Sequence, residues 1–68
     1  MNGSPLDLIR KLEETAASLR YLAEQVRTAA GQTDDPALRE EMLESAQGWE
    51  RRAGEMAEAI LRWKLRIN

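Results

Sequence analysis

The spacing of apolar residues predicts two amphipathic helices. In each half of the chain, apolar or small residues recur at alternating intervals of three and four, the heptad pattern of helices that pack along one narrow stripe. Before residue 61 no segment alternates apolar and polar residues as a β-strand does. The sequence therefore predicts an all-α protein. The stripe of helix 1 is Ile9, Leu12, Ala16, Leu19, Ala23, Val26 and Ala30, and that of helix 2 is Met42, Ala46, Trp49, Ala53, Met56, Ile60, Trp63 and Ile67.

Each predicted helix begins at a proline that follows a capping residue. Ser4 precedes Pro5 and Asp35 precedes Pro36. Their side chains can accept from the free amides of a first turn, where proline has no needed amide to lose. Gly31 lies where a left-handed cap would end helix 1. We predict helix 1 over about 5–30, a turn over 31–35 and helix 2 over about 36–66, in one domain spanning 1–68.

So short a turn makes the two helices antiparallel neighbours. Folding about Thr33 places Trp49 opposite Ala16, so that a large side chain meets a small one, as close packing requires. The same register pairs Leu12 with Ala53 and Leu19 with Ala46. Arg39 is predicted to clip the turn, through Asp35 four residues earlier or through the last carbonyls of helix 1.

A hairpin of this size buries only one stripe per helix and is marginal alone. We therefore expect two hairpins to pair into a four-helix bundle, with a homodimer favoured. The expected interface combines apolar residues beside the stripes with the end of helix 2, which is predicted to extend past the start of helix 1. Its members are Leu8, Leu22, Leu43, Ala57, Trp63, Leu65 and Ile67. Alternatively, Trp63 folds over residues 1–5 and caps the core of its own chain.

The composition argues against catalysis. The chain has no Cys and no His, which removes disulfides, thiolate and imidazole ligands, and the usual base near neutral pH. The paired glutamates lie outside the stripes and are expected to be solvated, and the serines and threonines have no base to activate them. We therefore predict that the protein is not an enzyme and needs no cofactor or metal.

Charge is nearly balanced in total but unevenly placed. The net charge is −2; acidic residues gather near the turn and basic ones at the opposite, open end of the hairpin. Cations at a helix C-terminus ordinarily complement its dipole. The alternative function that they suggest is binding of a nucleic acid or an anionic membrane surface. The basic residues concerned are Arg10, Lys11, Arg62, Lys64 and Arg66. Because residues 61–67 alternate apolar and basic side chains, they are predicted as either the end of helix 2 or an extended docking tail.

No run of about 20 apolar residues and no basic region followed by an apolar run is present. We therefore expect a cytoplasmic protein of bacterial type.

Helix 2 carries a pattern that resembles a known group of proteins. Asp35-Pro36 is followed by Arg39, Met42-Leu43 and Ala46, and then by Trp49-Glu50 and Ala53. This pattern is similar to that of small uncharacterised α-helical hairpin proteins of alphaproteobacteria. The resemblance implies a hairpin and no assigned activity. Together with the preceding observations it predicts a non-enzymatic, self-associating hairpin that acts as a protein–protein interaction or regulatory module.

Overall fold

A computed structural model describes residues 4–67, which form two long antiparallel helices and one short connection. Helix α1 runs over Pro5–Gly31 and helix α2 over Pro36–Ile67, and the two pack along their length. The prediction of an all-α hairpin is therefore confirmed. Its extents are 49 × 22 × 13 Å, so the molecule is a single layer of two helices, since one helix with its side chains is about 10–12 Å across.

Both helices begin with the predicted caps. The amide of Asp7 donates to the Ser4 hydroxyl while the amide of Ser4 donates to the Asp7 carboxylate, which completes a reciprocal capping box. At the start of α2, the Asp35 carboxylate accepts from the amides of Ala37 and Leu38 at 3.0 and 3.4 Å. These bonds satisfy amides that have no partner within the helix.

The end of α1 differs from the prediction. Gly31 is the last residue of the helix, and no residue in the described range has positive φ, so the left-handed glycine cap is wrong. The amides of Gln32 and Thr33 instead donate to the carbonyls of Ala29 and Ala30. Because these bonds continue the helical direction for two more residues, the chain needs no left-handed reversal at Gly31.

Arg39 holds the connection, as predicted, but through a different partner. Its guanidinium donates two hydrogen bonds to the carbonyl of Thr33, from Nε at 3.2 Å and from a terminal nitrogen at 2.6 Å. Neither Asp35 nor a carbonyl of α1 receives them. The Thr33 hydroxyl also lies 3.8 Å from the sulfur of Met42. Residues in the first two turns of α2 therefore hold the connection against that helix.

The interior of the hairpin is built mainly from alanine. Among residues 4–67 the buried side chains are two isoleucines and five alanines, and nothing larger than isoleucine is buried. The tryptophan and methionines of the α2 stripe, Trp49, Met42 and Met56, are only half-buried. Small side chains at every seventh position let two helices approach closely, but each one removes little apolar area from water. The buried set is Ile9, Ala16, Ala23, Ala30, Ala46, Ala53 and Ile60.

The register between the helices corrects the predicted pairs. Starting from the Thr33–Met42 contact and counting seven residues along each helix places Trp49 beside Val26. Ile9 and Trp63 line one groove. Counting fourteen residues along each helix from this pair towards the turn places Trp49 beside Ala23. The predicted neighbour, Ala16, lies about two turns further away. The pairs Leu12–Ala53 and Leu19–Ala46 shift by the same amount.

The reason for this shift is the connection itself. Residues 32 and 33 prolong α1, and Thr33 lies beside Arg39 and Met42. The chain therefore folds back about Pro36 and not about Thr33. As a result, the first turn of α2 extends beyond the end of α1.

Removing the α2 cap is expected to destabilise the hairpin. Asp35→Ala leaves two amides without their acceptor and should lower the free energy of unfolding by about 1 kcal/mol. Asp34→Ala removes the same charge from the neighbouring residue and should change it by less than about 0.5 kcal/mol. Urea unfolding followed by circular dichroism, at one protein concentration, measures both. Equal losses in the two variants would contradict the capping role of Asp35.

Enlarging the alanine stripe should also destabilise the fold. Ala23 is completely buried and Ala17 lies on the exposed surface of the same helix. Ala23→Leu is expected to push the helices apart and cost about 1–3 kcal/mol. Ala17→Leu is the matched control and should stay within about 0.5 kcal/mol of the wild-type chain. A neutral Ala23→Leu variant would show that the helices do not pack closely at this point.

Candidate interaction surfaces

The hairpin presents two broad faces, and one of them carries ion pairs. Arg27 pairs with Glu50 near the turn, and Lys64 pairs with Glu13 at 2.6 Å near the open end. All four side chains are nearly half exposed, so each pair contributes little to stability. Between them lies a shallow depression that includes Arg20 and Ala57. We call this side the ion-pair face, and its members are Glu13, Arg20 and Arg27 on α1 and Leu43, Glu50, Ala57 and Lys64 on α2.

The opposite side consists of residues that come one position before the buried stripe. Leu8 and Arg66 line one groove, which shows that these positions of the two helices share a face. Residues spaced by seven lie on the same side of a packed helix. We call this side the leucine face. Its members are Leu8, Thr15, Leu22 and Ala29 on α1 and Leu38, Ser45, Arg52, Ala59 and Arg66 on α2.

The two faces differ in charge. Along α1, the ion-pair face and its outer edge carry five charged residues, namely Arg10, Glu13, Arg20, Glu24 and Arg27. Between Leu8 and Ala29, the leucine face and its outer edge carry only Lys11. On α2 the order is reversed. There the leucine face and its outer edge carry five charged residues, whereas the ion-pair face and its edge carry Glu40, Glu50 and Lys64. Interface centres are depleted in charged residues, so the α1 half of the leucine face is the better candidate for the centre of a contact with another protein.

The structure separates four of the residues predicted to form one interface. Leu8 and Leu22 lie on the leucine face, whereas Leu43 and Ala57 lie on the ion-pair face. Leu8, Leu22 and Leu43 are exposed, and Ala57 is half-buried. Because the faces point in opposite directions, one partner hairpin stacked on the molecule covers one pair and not the other.

The open end does not have the predicted overhang. Ile67, the last residue of α2, lines a groove together with Pro5, the first residue of α1. The expectation that Trp63, Leu65 and Ile67 extend past α1 is therefore wrong, because the shifted register brings the two ends level. The helix also continues through residues 61–67, so the extended-tail alternative is wrong.

The three apolar residues of this end have different surroundings. Trp63 and Ile67 are 41% and 42% exposed and line an apolar groove with Pro5, Leu8 and Ile9. Leu65 is 72% exposed, on the outer side of α2. The contact between Trp63 and residues 1–5 was the alternative interpretation; Pro5 is at this groove, and residues 1–3 lie outside the described range.

The basic residues of the open end do not form one patch. Lys64 is neutralised by Glu13 on the ion-pair face, where Arg10 also lies. Lys11 adjoins Leu8, Arg66 borders the open-end groove, and Arg62 lies on the same side as both. Lys11, Arg62 and Arg66 therefore flank the leucine face, whereas the other two cations belong to the opposite side.

One apolar residue of the leucine face was missed from the sequence. Leu38 is 46% exposed in the first turn of α2, where that helix extends beyond α1. It precedes the stripe position of Arg39 just as Leu8 precedes Ile9. Extending the α2 heptad backwards through Arg39 would have identified it.

The carboxylates and threonine hydroxyls of the described residues have separate surroundings. Within 4–67 no three carboxylates cluster closely enough to hold a metal ion, and Glu14, Glu40, Glu41 and Glu44 are exposed. The threonine hydroxyls at 15, 28 and 33 donate to backbone carbonyls one turn earlier. Neither helix, over the residues described, is long and apolar enough to cross a membrane.

Gly48 and Gly54 remain open within the hairpin. A β-carbon built on either residue meets no neighbouring atom within 4 Å. Close contact between the two helices therefore does not require glycine at these positions. Gly48 lies on the edge of the leucine face and Gly54 on the edge of the ion-pair face.

Comparison of the chain with protein-family models, curated proteins and solved structures gives no match. The antiparallel helical hairpin is thus the class that the structure itself defines. The resemblance of α2 to alphaproteobacterial hairpin proteins stays a prediction.

Truncating the two exposed apolar residues of the open end should have unequal effects. Trp63→Ala removes the largest side chain of the groove that it lines with Leu8 and Ile9. It should lower the free energy of unfolding by about 2 kcal/mol, roughly half the cost for a fully buried tryptophan. Leu65→Ala should cost less than about 0.5 kcal/mol. Chemical denaturation at a fixed protein concentration compares them. A larger loss for Leu65→Ala would show that Leu65, as predicted from the sequence, belongs to an interface.

Proposed function

We propose that the chain is a non-catalytic protein–protein interaction module that works as a homodimer, with two hairpins stacked into a four-helix bundle. The observation that carries this proposal is the surface left exposed by one hairpin. A compact monomer of 7.7 kDa exposes about 4,300 Å², whereas this chain exposes 5304 Å². The excess, about 1,000 Å², is similar to the roughly 800 Å² that each partner buries in a stable interface.

The shape of the hairpin supports the same proposal. Its radius of gyration is 15.5 Å, whereas a compact domain of this length has about 11 Å. Stacking a second layer on the hairpin thickens its shortest dimension by about 10 Å and gives the architecture of a four-helix bundle. The large apolar side chains excluded from the alanine core then gain a place to be buried.

We assign the contact to the leucine face. It carries three exposed leucines, Leu8, Leu22 and Leu38, and few charges along α1. On the ion-pair face, a second hairpin would have to desolvate the Arg27–Glu50 and Glu13–Lys64 pairs, which costs more than their attraction returns. The function is non-catalytic in this proposal because the sequence has no His and no Cys and the described threonine hydroxyls are occupied.

Self-association is tested first by mass. Sedimentation equilibrium of the full chain at micromolar concentrations should give twice the monomer mass, and the melting temperature should rise with protein concentration. A folded monomer with a melting temperature independent of concentration would overturn the proposal.

A matched pair of leucine variants tests the face. Leu22 and Leu43 are 48% and 42% exposed on opposite faces, and glutamate keeps a high helix propensity at both sites. Leu22→Glu should raise the dimer dissociation constant at least about tenfold, because each dimer buries two copies of the residue. Leu43→Glu should leave it within about twofold. The reverse order would assign the contact to the ion-pair face.

A further inference from the structure

The charge along α2 points to one particular orientation of the second copy. Glu41 lies five residues after the first residue of α2, and Arg62 lies five residues before its last. They are spaced by three whole heptads, so both flank the leucine face, at opposite ends of the helix. Opposite charges therefore stand at equal distances from the midpoint of one helix.

We propose that two copies stack through their leucine faces with the turn of each hairpin at the open end of the other. This inference rests on the proposed homodimer and adds its geometry. The two α2 helices then lie antiparallel and overlap completely, which places Glu41 of each copy level with Arg62 of the other. Twofold symmetry makes every such contact twice.

Most other contacts of this arrangement agree in size and charge. The exception lies at its midpoint, where Arg52 of one copy is beside Arg52 of the other, and this one like-charge contact is outnumbered by the two Glu41–Arg62 pairs. The same overlap sets Ser45 of one copy beside Ala59 of the other, and Gly48 beside Glu55. Gly48 has open space around it within its own chain, so the second α2 helix can approach closely there. At the ends, Leu38 and the acidic turn of one copy meet Arg66 and the open-end groove of the other.

The α1 helices complete the second half of the interface. Completely overlapping α2 helices bring the α1 helices together antiparallel as well, with Leu22 of one copy beside Ser18 of the other. A large residue meets a small one, as close packing requires. Near Lys11 of one copy lies Ala29 of the other, so the single α1 cation of this side faces no second cation.

The alternative stacking, with both open ends together, is disfavoured by charge. It gathers Lys11, Arg62 and Arg66 of both copies at one end, with Arg62 level with Lys11 of the other copy. It also brings both acidic turns, which contain Asp34 and Asp35, to the other end. Like charges at short range repel, and the repulsion weakens with added salt.

Charge reversal in the full chain tests the orientation. Glu41→Lys and Arg62→Glu should each raise the dimer dissociation constant about tenfold at low salt, because each change turns two attractions into repulsions. The double variant should return to within about twofold of wild type. Glu40→Lys makes the same charge change on the ion-pair side and should have little effect. Tighter association of Glu41→Lys would instead indicate open ends together, and overturns the proposal.

Cross-linking gives a second readout, without interference because the chain has no native cysteine. Glu41→Cys and Arg62→Cys variants are mixed and treated with a short bismaleimide, and the products are separated by mass. The proposal predicts the mixed 41–62 product. Products joining only 41 to 41 or 62 to 62 overturn the orientation while self-association stands. A chain that is monomeric in sedimentation, with no cross-link at all, refutes the homodimer itself.

Discussion

The alanine stripe is the constraint on which the rest of the molecule depends. Ala16, Ala23, Ala46 and Ala53 are buried, so small side chains occupy the centre of the hairpin. Small side chains allow the two helices to pack closely, but they bury little apolar surface, since an alanine removes far less area from water than a leucine does. Leu12 and Leu19 of the stripe are half-buried, but the other leucines are exposed outside the stripe. Small core residues and exposed leucines are two aspects of one arrangement.

The heptad repeat explains why the helices can be predicted from the sequence and why the register between them cannot. Seven-residue periodicity identifies the stripe, and the capping residues Ser4 and Asp35 mark both helix starts because their effect is local. Register is not local. A shift of two turns moves Trp49 from Ala16 to Ala23, and both are alanines, so the large-against-small criterion is satisfied in either position. The connection determines the register, because Arg39 donates to the carbonyl of Thr33. This backbone partner cannot be predicted from the pattern of side chains.

The same degeneracy limits prediction of the interaction surface. Leu8, Leu22, Leu43 and Ala57 all adjoin the stripe, and periodicity alone treats them alike. The order of positions around an antiparallel pair separates them, because a residue before the stripe on one helix shares its face with a residue before the stripe on the other. Once the Arg27–Glu50 and Glu13–Lys64 pairs mark one side, the opposite side is identified as the one with fewer charges along α1. The supposed overhang at Trp63 depended on the mistaken register and disappears with it.

The distribution of charge along the hairpin matters more than the net charge of −2. An acidic turn and a basic open end make each hairpin an electrical dipole along its long axis, and two such bodies associate most favourably with their ends reversed. In the proposed dimer, apolar burial supplies the free energy of association but selects orientation poorly, since small and large residues repeat every seven positions in either direction. Each pair of exposed charges contributes little affinity. Between the two stackings, however, the interaction of these charges across the interface changes from attraction to repulsion. In this arrangement the leucines hold the copies together, and Glu41 and Arg62 determine which way round they lie.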